Sequence, residues 1–157
     1  QICRVVGGAE RAHSVLNALQ QINAEEFPWV LVHDAARPLV QVADIQNLLQ
    51  QCQLQQCGGI LATQVRDTMK RGVCYVAETV SREHLWHALT PQFFPTAMLK
   101  AALHDAVQAG VNVTDEASAM EWAGHRVMLV EGHSDNIKIT QPADLALAAF
   151  YLEQVTE

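Results

Sequence analysis

Trp29-Val30-Leu31-Val32-His33-Asp34-Ala35-Ala36-Arg37-Pro38 is the stretch on which the fold turns. Its first four residues form a short, continuous apolar run, the pattern of a strand buried on both faces. The run breaks at His33-Asp34 into a loop of small residues. Upstream, Ile2 to Val6 reads as an opening strand, and Gly7-Gly8 leads to Val15, Leu16, Leu19 and Ile22 on one helical face. Downstream, Ile45, Leu48, Leu49 and Cys52 follow the spacing of an amphipathic helix, and Gly58-Gly59 introduces an apolar strand, Ile60 to Thr63. Met98, Leu99, Ala102, Leu103 and Ala106 mark a further helix that stops near Gly110. Thr114 or Asp115 caps a short helix reaching about Ala123. Val127 to Val130 and Asn136 to Ile139 read as strands. Thr140 then caps a last helix, with Pro142 in its first turn.

Strands alternating with helices predict an α/β fold of three layers, a mostly parallel sheet covered on both faces, in a single domain over residues 1–157. Residues 65–89 are the exception. They are β-branched and aromatic, contain the turn-like Arg71-Gly72, and show no helical face before Glu83. This stretch is expected to leave the core as a β-hairpin arm. An isolated hairpin is marginal, so a second subunit is the expected cover.

The composition excludes several classes. In 157 residues, 50% are apolar and 17% charged, so the chain is not disordered. The net charge of −7 argues against sequence-independent nucleic-acid binding, which needs a basic footprint. No apolar run approaches the length of a membrane span. The four cysteines fit neither a redox pair nor a zinc pattern, and reduced thiols in the cytoplasm are expected. The chain opens at Gln1 directly in a strand-like run, and an N-terminal portion is expected to precede it.

In open α/β sheets, ligands bind beyond the carboxyl ends of the strands. The polar residues that follow each predicted strand are therefore the candidates. Gly7-Gly8 permits close backbone approach ahead of a helix N-terminus, but a lone Gly-Gly is more commonly an ordinary turn. Asp34 suits Mg²⁺ or a ribose hydroxyl, or a plain loop cap. Arg37, Lys70, Arg82 and Lys138 could neutralise phosphates, although single surface charges are common; Arg11 and Arg66 also follow predicted strands. Lys138, between Ile137 and Ile139, should face away from their side of the chain. Thr68, Thr90 and Thr114 offer hydroxyl donors. His84 and His87 show no ligand pattern, and no nucleophile–base set is evident.

Six blocks in order carry a resemblance: Gly7-Gly8-x-x-Arg11-x-x-Ser14-Val15; Val30 to Pro38; Asp67-Thr68-Met69-Lys70; Leu89-Thr90-Pro91-Gln92-Phe93-Phe94; Thr114 to Ala119; and Asp135 to Thr140. Together they resemble the 2-C-methyl-D-erythritol 4-phosphate cytidylyltransferase family. The resemblance implies a Rossmann-like fold of the nucleotide-diphosphosugar-transferase type, and a homodimer interlocked through the β-arm. It implies transfer of CMP from CTP to methylerythritol phosphate with release of pyrophosphate, assisted by Mg²⁺. Gly7, Gly8 and Ser14 would then meet the cytosine end, and Asp34 the ribose and metal. Thr68, Thr90, Lys138 and Arg82 would hold the methylerythritol phosphate, Arg82 reaching into the neighbouring subunit's site, while Thr114 and Arg37 would line the same pocket. The family's Gly-rich opening loop, with its Arg and Lys, is not in this sequence, so this chain by itself is expected to be inactive. Ala9 stands where many relatives carry a polar residue. Two other readings remain: a cytidylyltransferase for another polyol phosphate such as ribitol 5-phosphate, and a non-catalytic nucleotide-binding or dimerisation module.

Overall fold

The computed structural model describes residues 2–155. In chain order the elements are α1 (Arg11–Gln20), β1 (Trp29–Val32), α2 (Val42–Gln55), β2 (Gly59–Gln64), β3 (Met69–Gly72), β4 (Val76–Val80), β5 (Trp86–Pro95), α3 (Thr96–Gln108), α4 (Glu116–Trp122), β6 (Met128–Glu131) and α5 (Pro142–Val155). A four-stranded sheet has the order β1-β5-β2-β6, and β3 pairs with β4 in a separate two-stranded sheet.

Side chains alternate across β2, and this alternation makes the three layers. Ile60 and Ala62 join Leu16 and Leu19 of α1, Leu99 and Leu103 of α3 and Met120 of α4 in one core. Leu61 faces the other way, with Leu48 and Cys52 of α2, Phe93 and Val130. On that second face the Trp29 and Phe93 rings stack at 4.8 Å. α3 ends as its glycine suggests: Gly110 takes a positive φ of 67°, and the Val111 N–H reaches back to the Ala106 carbonyl.

The sheet is mixed. β5 runs antiparallel to both β1 and β2, while β2 and β6 pair in parallel, so β1, β2 and β6 share one direction. β5 is fed directly from the hairpin, without a crossover helix, and a strand entered that way returns antiparallel. Its pairing with β2 slips between Ile60 and Ala62, where Leu89, Thr90 and Pro91 bulge. Proline, lacking an N–H, is accommodated at such a break.

Three local expectations give way. Ile2 to Val6 is not a strand: it is exposed and finds no ladder partner among the described residues, apart from Asn17 Nδ2 donating to the Val6 carbonyl. Asn136 to Ile139 is extended but not a strand, since its backbone tie to the neighbouring loop is the single bond from Ile139 N–H to the Ala36 carbonyl. The alternation expected there survives, with Ile137 and Ile139 half-buried and Lys138 exposed. Thr140 does not cap α5 with its own oxygen. Its hydroxyl and its N–H, with the Gln141 N–H, all donate to the Asp144 carboxylate one turn on.

Candidate active site

The loop after β1, the N-terminal turn of α1, the β5 bulge, the approach to α4 and the segment after β6 meet at the carboxyl edge shared by the parallel strands. They enclose a pocket lined by Arg11, Asp34, Arg37, Thr90, Thr114 and Lys138, among others. Among the predicted residues, the structure thus brings Asp34, Arg37, Thr90, Thr114 and Lys138 together.

Asp34 is the hub. Its Oδ1 accepts from Arg11 Nε at 3.3 Å and Nη2 at 3.1 Å, and its Oδ2 lies 3.2 Å from Lys138 Nζ and 3.7 Å from Arg37 Nε. Partial burial by itself would raise the Asp34 pKa. The hydrogen bonds from Lys138 and Arg11 outweigh it and hold the carboxyl below its ordinary value. Burial lowers the Arg37 pKa, with Asp34 opposing. Arg37 Nη1 also donates to the Asn136 carbonyl at 2.8 Å, tying the Lys138 segment to the Asp34 loop.

Thr90 is buried beneath this hub rather than extended into it. Its hydroxyl oxygen accepts the Asp34 N–H at 3.0 Å and lies 3.0 Å from His33 Nδ1. His33 Nε2 lies 2.8 Å from the Arg37 carbonyl, which can only accept. Neutral His33 therefore carries its proton on Nε2, and Thr90 donates to Nδ1. The hydroxyl thus joins the Asp34 N–H to the His33 ring, and the ring joins the Arg37 carbonyl, so Thr90 shapes the His33–Arg37 loop. On α4, Asp115 is the cap, accepting from the Ser118 N–H at 2.8 Å, which leaves the Thr114 side chain exposed at the pocket.

The remaining predicted residues lie elsewhere. Gly7 and Gly8 are exposed before α1, where the Gly8 N–H donates to Ser14 Oγ at 2.9 Å and Ser14 Oγ donates to the Glu10 carbonyl. A Cβ on Gly8 would fall 2.3 Å from the His13 Cβ, so the glycine is required by the turn itself. Thr68 is exposed between β2 and β3. Arg82, exposed after β4, donates to the Arg66 carbonyl and does not reach the Asp34 hub of its own chain.

Sequence reasoning missed Gln92 and Glu116. Gln92, buried in β5, donates to Asp115 Oδ2 at 2.9 Å and accepts the Ala117 N–H at 2.9 Å, docking α4 at the pocket. Glu116 is buried against Arg11. A carboxylate in the first turn of a helix looks like a dipole partner, and nothing local marks it as buried.

A mixed sheet with helices on both faces, whose parallel strands aim their carboxyl ends at a pocket lined by Arg11, Arg37 and Lys138 with Asp34 and Asp115, defines a Rossmann-like α/β protein. The family model for 2-C-methyl-D-erythritol 4-phosphate cytidylyltransferase matches residues 1–154, and the chain belongs to that family. Two curated relatives carry that name. The Pseudoalteromonas translucida protein is 55% identical over 98% of this chain and 64% of its own length, and that of Vibrio parahaemolyticus is 56% identical over 98% and 67%. The solved Francisella tularensis structure of the same name superposes with a TM-score of 0.85 at 38% identity, covering 92% of this chain and 69% of that one. The Thermus thermophilus structure gives 0.85 at 35% identity, covering 94% and 71%. The chain thus spans about two thirds of the length of the relatives it matches.

Proposed function

We propose that the protein transfers CMP from CTP to 2-C-methyl-D-erythritol 4-phosphate and releases pyrophosphate, a step in building isoprenoid precursors. The convergence of Arg11, Arg37 and Lys138 on Asp34 carries the reading, because it gathers three phosphate-binding side chains at the strand ends in one pocket of an acidic chain. The names of the relatives supply the substrates.

The reaction needs little covalent help from the protein. An oxygen of the acceptor's phosphate attacks the α-phosphorus of CTP, a new P–O bond forms, and the α–β bond breaks with its electron pair leaving on pyrophosphate. A phosphate monoester loses its second proton at about pH 6, so the nucleophile is already charged and no general base is required. What must be overcome is repulsion between two polyanions, together with in-line placement. Lys138 Nζ, tethered to Asp34 by one contact, keeps donors for the acceptor phosphate. Arg37, anchored at Asn136, adds a second cation. Arg82, exposed and remote from its own Asp34, is assigned to the partner's site, with Thr68 beside it at the base of the arm. Gly7, Gly8 and Ser14 are assigned to the base. The apolar arm tip, with Val73 101% and Tyr75 90% exposed, is assigned to the homodimer contact.

A magnesium ion held chiefly by the nucleotide's phosphates is assigned to Asp34, whose oxygens are engaged by Arg11, Lys138 and Arg37 and would have to be shared with it. No cluster of three metal-ligating side chains occurs among the described residues, and the Asp34 carboxylate is the one ligand we assign to the protein. When bound, the ion would neutralise triphosphate charge. Among the described residues, no helix is long and apolar enough to cross a membrane. We assign the protein to the cytoplasm, where CTP is made.

The test is pyrophosphate release by the full-length gene product with CTP and either methylerythritol phosphate or ribitol 5-phosphate. Turnover with the first acceptor is expected, abolished by chelating divalent cations and restored by Mg²⁺. Turnover with ribitol 5-phosphate alone, or with neither, would overturn the assignment.

A further inference from the structure

Glu116 is a carboxylate with 0% of its side chain exposed, at the first position of α4. Burying such a charge costs several kcal/mol unless a partner compensates it. The compensation is a two-point fork: Arg11 Nη1 donates to Oε1 at 2.6 Å and Nη2 to Oε2 at 3.0 Å. The same planar guanidinium turns its other edge to Asp34, through Nε and Nη2. The hydrogen bonds to Glu116 are the foremost cause raising the Arg11 pKa, burial opposes them, and Asp34 adds to the rise, so Arg11 stays charged.

A planar fork cannot serve two carboxylates independently. Fixing Nη1 and Nη2 on the buried Glu116 fixes the direction in which Nε points. That direction engages Oδ1 of Asp34 and leaves Oδ2 to Lys138. Three elements distant in sequence are linked in this way: the first turn of α4, the first turn of α1 and the loop after β1. Buried ion pairs are weak contributors to net stability compared with apolar packing, which makes orientation the better explanation for retaining one here.

We infer that Glu116 is a positioning residue of the transfer site, acting through Arg11 to orient the Asp34 carboxylate toward the nucleotide. The inference rests on the proposed CMP transfer for its kinetic consequence, and on geometry alone for its structural one.

Two substitutions in the full-length gene product test it. Glu116→Gln keeps the shape and removes the charge, and Arg11→Lys keeps the charge and removes the fork. Each is expected to raise KM for CTP about 10–100-fold, the range for groups that orient a ligating carboxylate, and the double variant to be no worse than the poorer single. A merely structural role would lower the folded fraction and kcat and leave KM unchanged; KM within about twofold of wild type in both variants overturns the inference. A second readout needs no activity. The Arg11 Nε–H resonance should be protected in the wild type and lost to exchange in Glu116→Gln; its persistence would overturn the inference. A wild-type protein that fails to transfer CMP defeats the proposed function and leaves the resonance to decide the positioning. If Glu116→Gln does not fold, Arg11→Lys carries the kinetic arm.

Discussion

At the scale of single residues, Lys138 Nζ lies 3.2 Å from Asp34 Oδ2 at the pocket. Replacing Lys138 by Ala in the full-length gene product should lower kcat about 10²–10³-fold, the cost of deleting one preorganised donor at developing charge. The melting temperature should barely move, since the side chain is 44% exposed and its ion pair is screened. Steady-state kinetics beside a thermal melt reads both. The residue types of this pocket were legible beforehand, because charged groups after apolar runs stand out. Their division of labour was not. Thr90 looked like a ligand donor and turns out to have its hydroxyl committed to Asp34 N–H and His33, a fact that depends on the β5 bulge. The pairing of Glu116 was invisible because its partner lies in α1, 105 positions away.

At the scale of elements, the segment after β6 and the helix that follows it are held by two titratable contacts with opposite pH signatures. His133 Nδ1 lies 2.8 Å from Asp44 Oδ1 in the first turn of α2. That hydrogen bond, then the Asp44 charge, raises the His133 pKa, with burial opposing and Asp135 adding to the rise. A group with a raised folded pKa stabilises fully below its unfolded value, about 6.5, and loses the contribution as pH rises through the folded value. A His133→Ala variant should therefore show a smaller decline in melting temperature across neutral pH than the wild type. At α5, the backbone N–H groups of Thr140 and Gln141, then the Thr140 hydroxyl, lower the Asp144 pKa. That contribution is present above about pH 3.9 and disappears as pH falls through the depressed folded value. Asp144→Ala should melt lower than wild type at neutral pH and converge with it in acid. Most elements could be read from periodicity alone: Trp29–Val32 matches its apolar run, and α1, α2 and α3 follow their stripes. β5 itself, where no strand was expected, its direction, and the loss of the strands at residues 2–6 and 136–139 could not. Strand identity depends on which chain lies alongside, and a single segment does not carry that information.

At the scale of the whole molecule, one chain supplies Asp34, Arg37 and Lys138 to a pocket, while Arg82 stands away from it at the base of an arm with an exposed apolar tip. On the proposed function two copies complete each other: each pocket takes Lys138 from its own chain and Arg82 from its twin. Subunit mixing tests this most directly. Full-length Lys138→Ala and Arg82→Ala proteins are each expected to be nearly inactive. Unfolding and refolding them together gives dimers in which one pocket has both residues intact and the other has neither. Random assortment makes half of the dimers mixed, so the account predicts recovery of about a quarter of wild-type pyrophosphate release. A mixture as inactive as its two parents would contradict it.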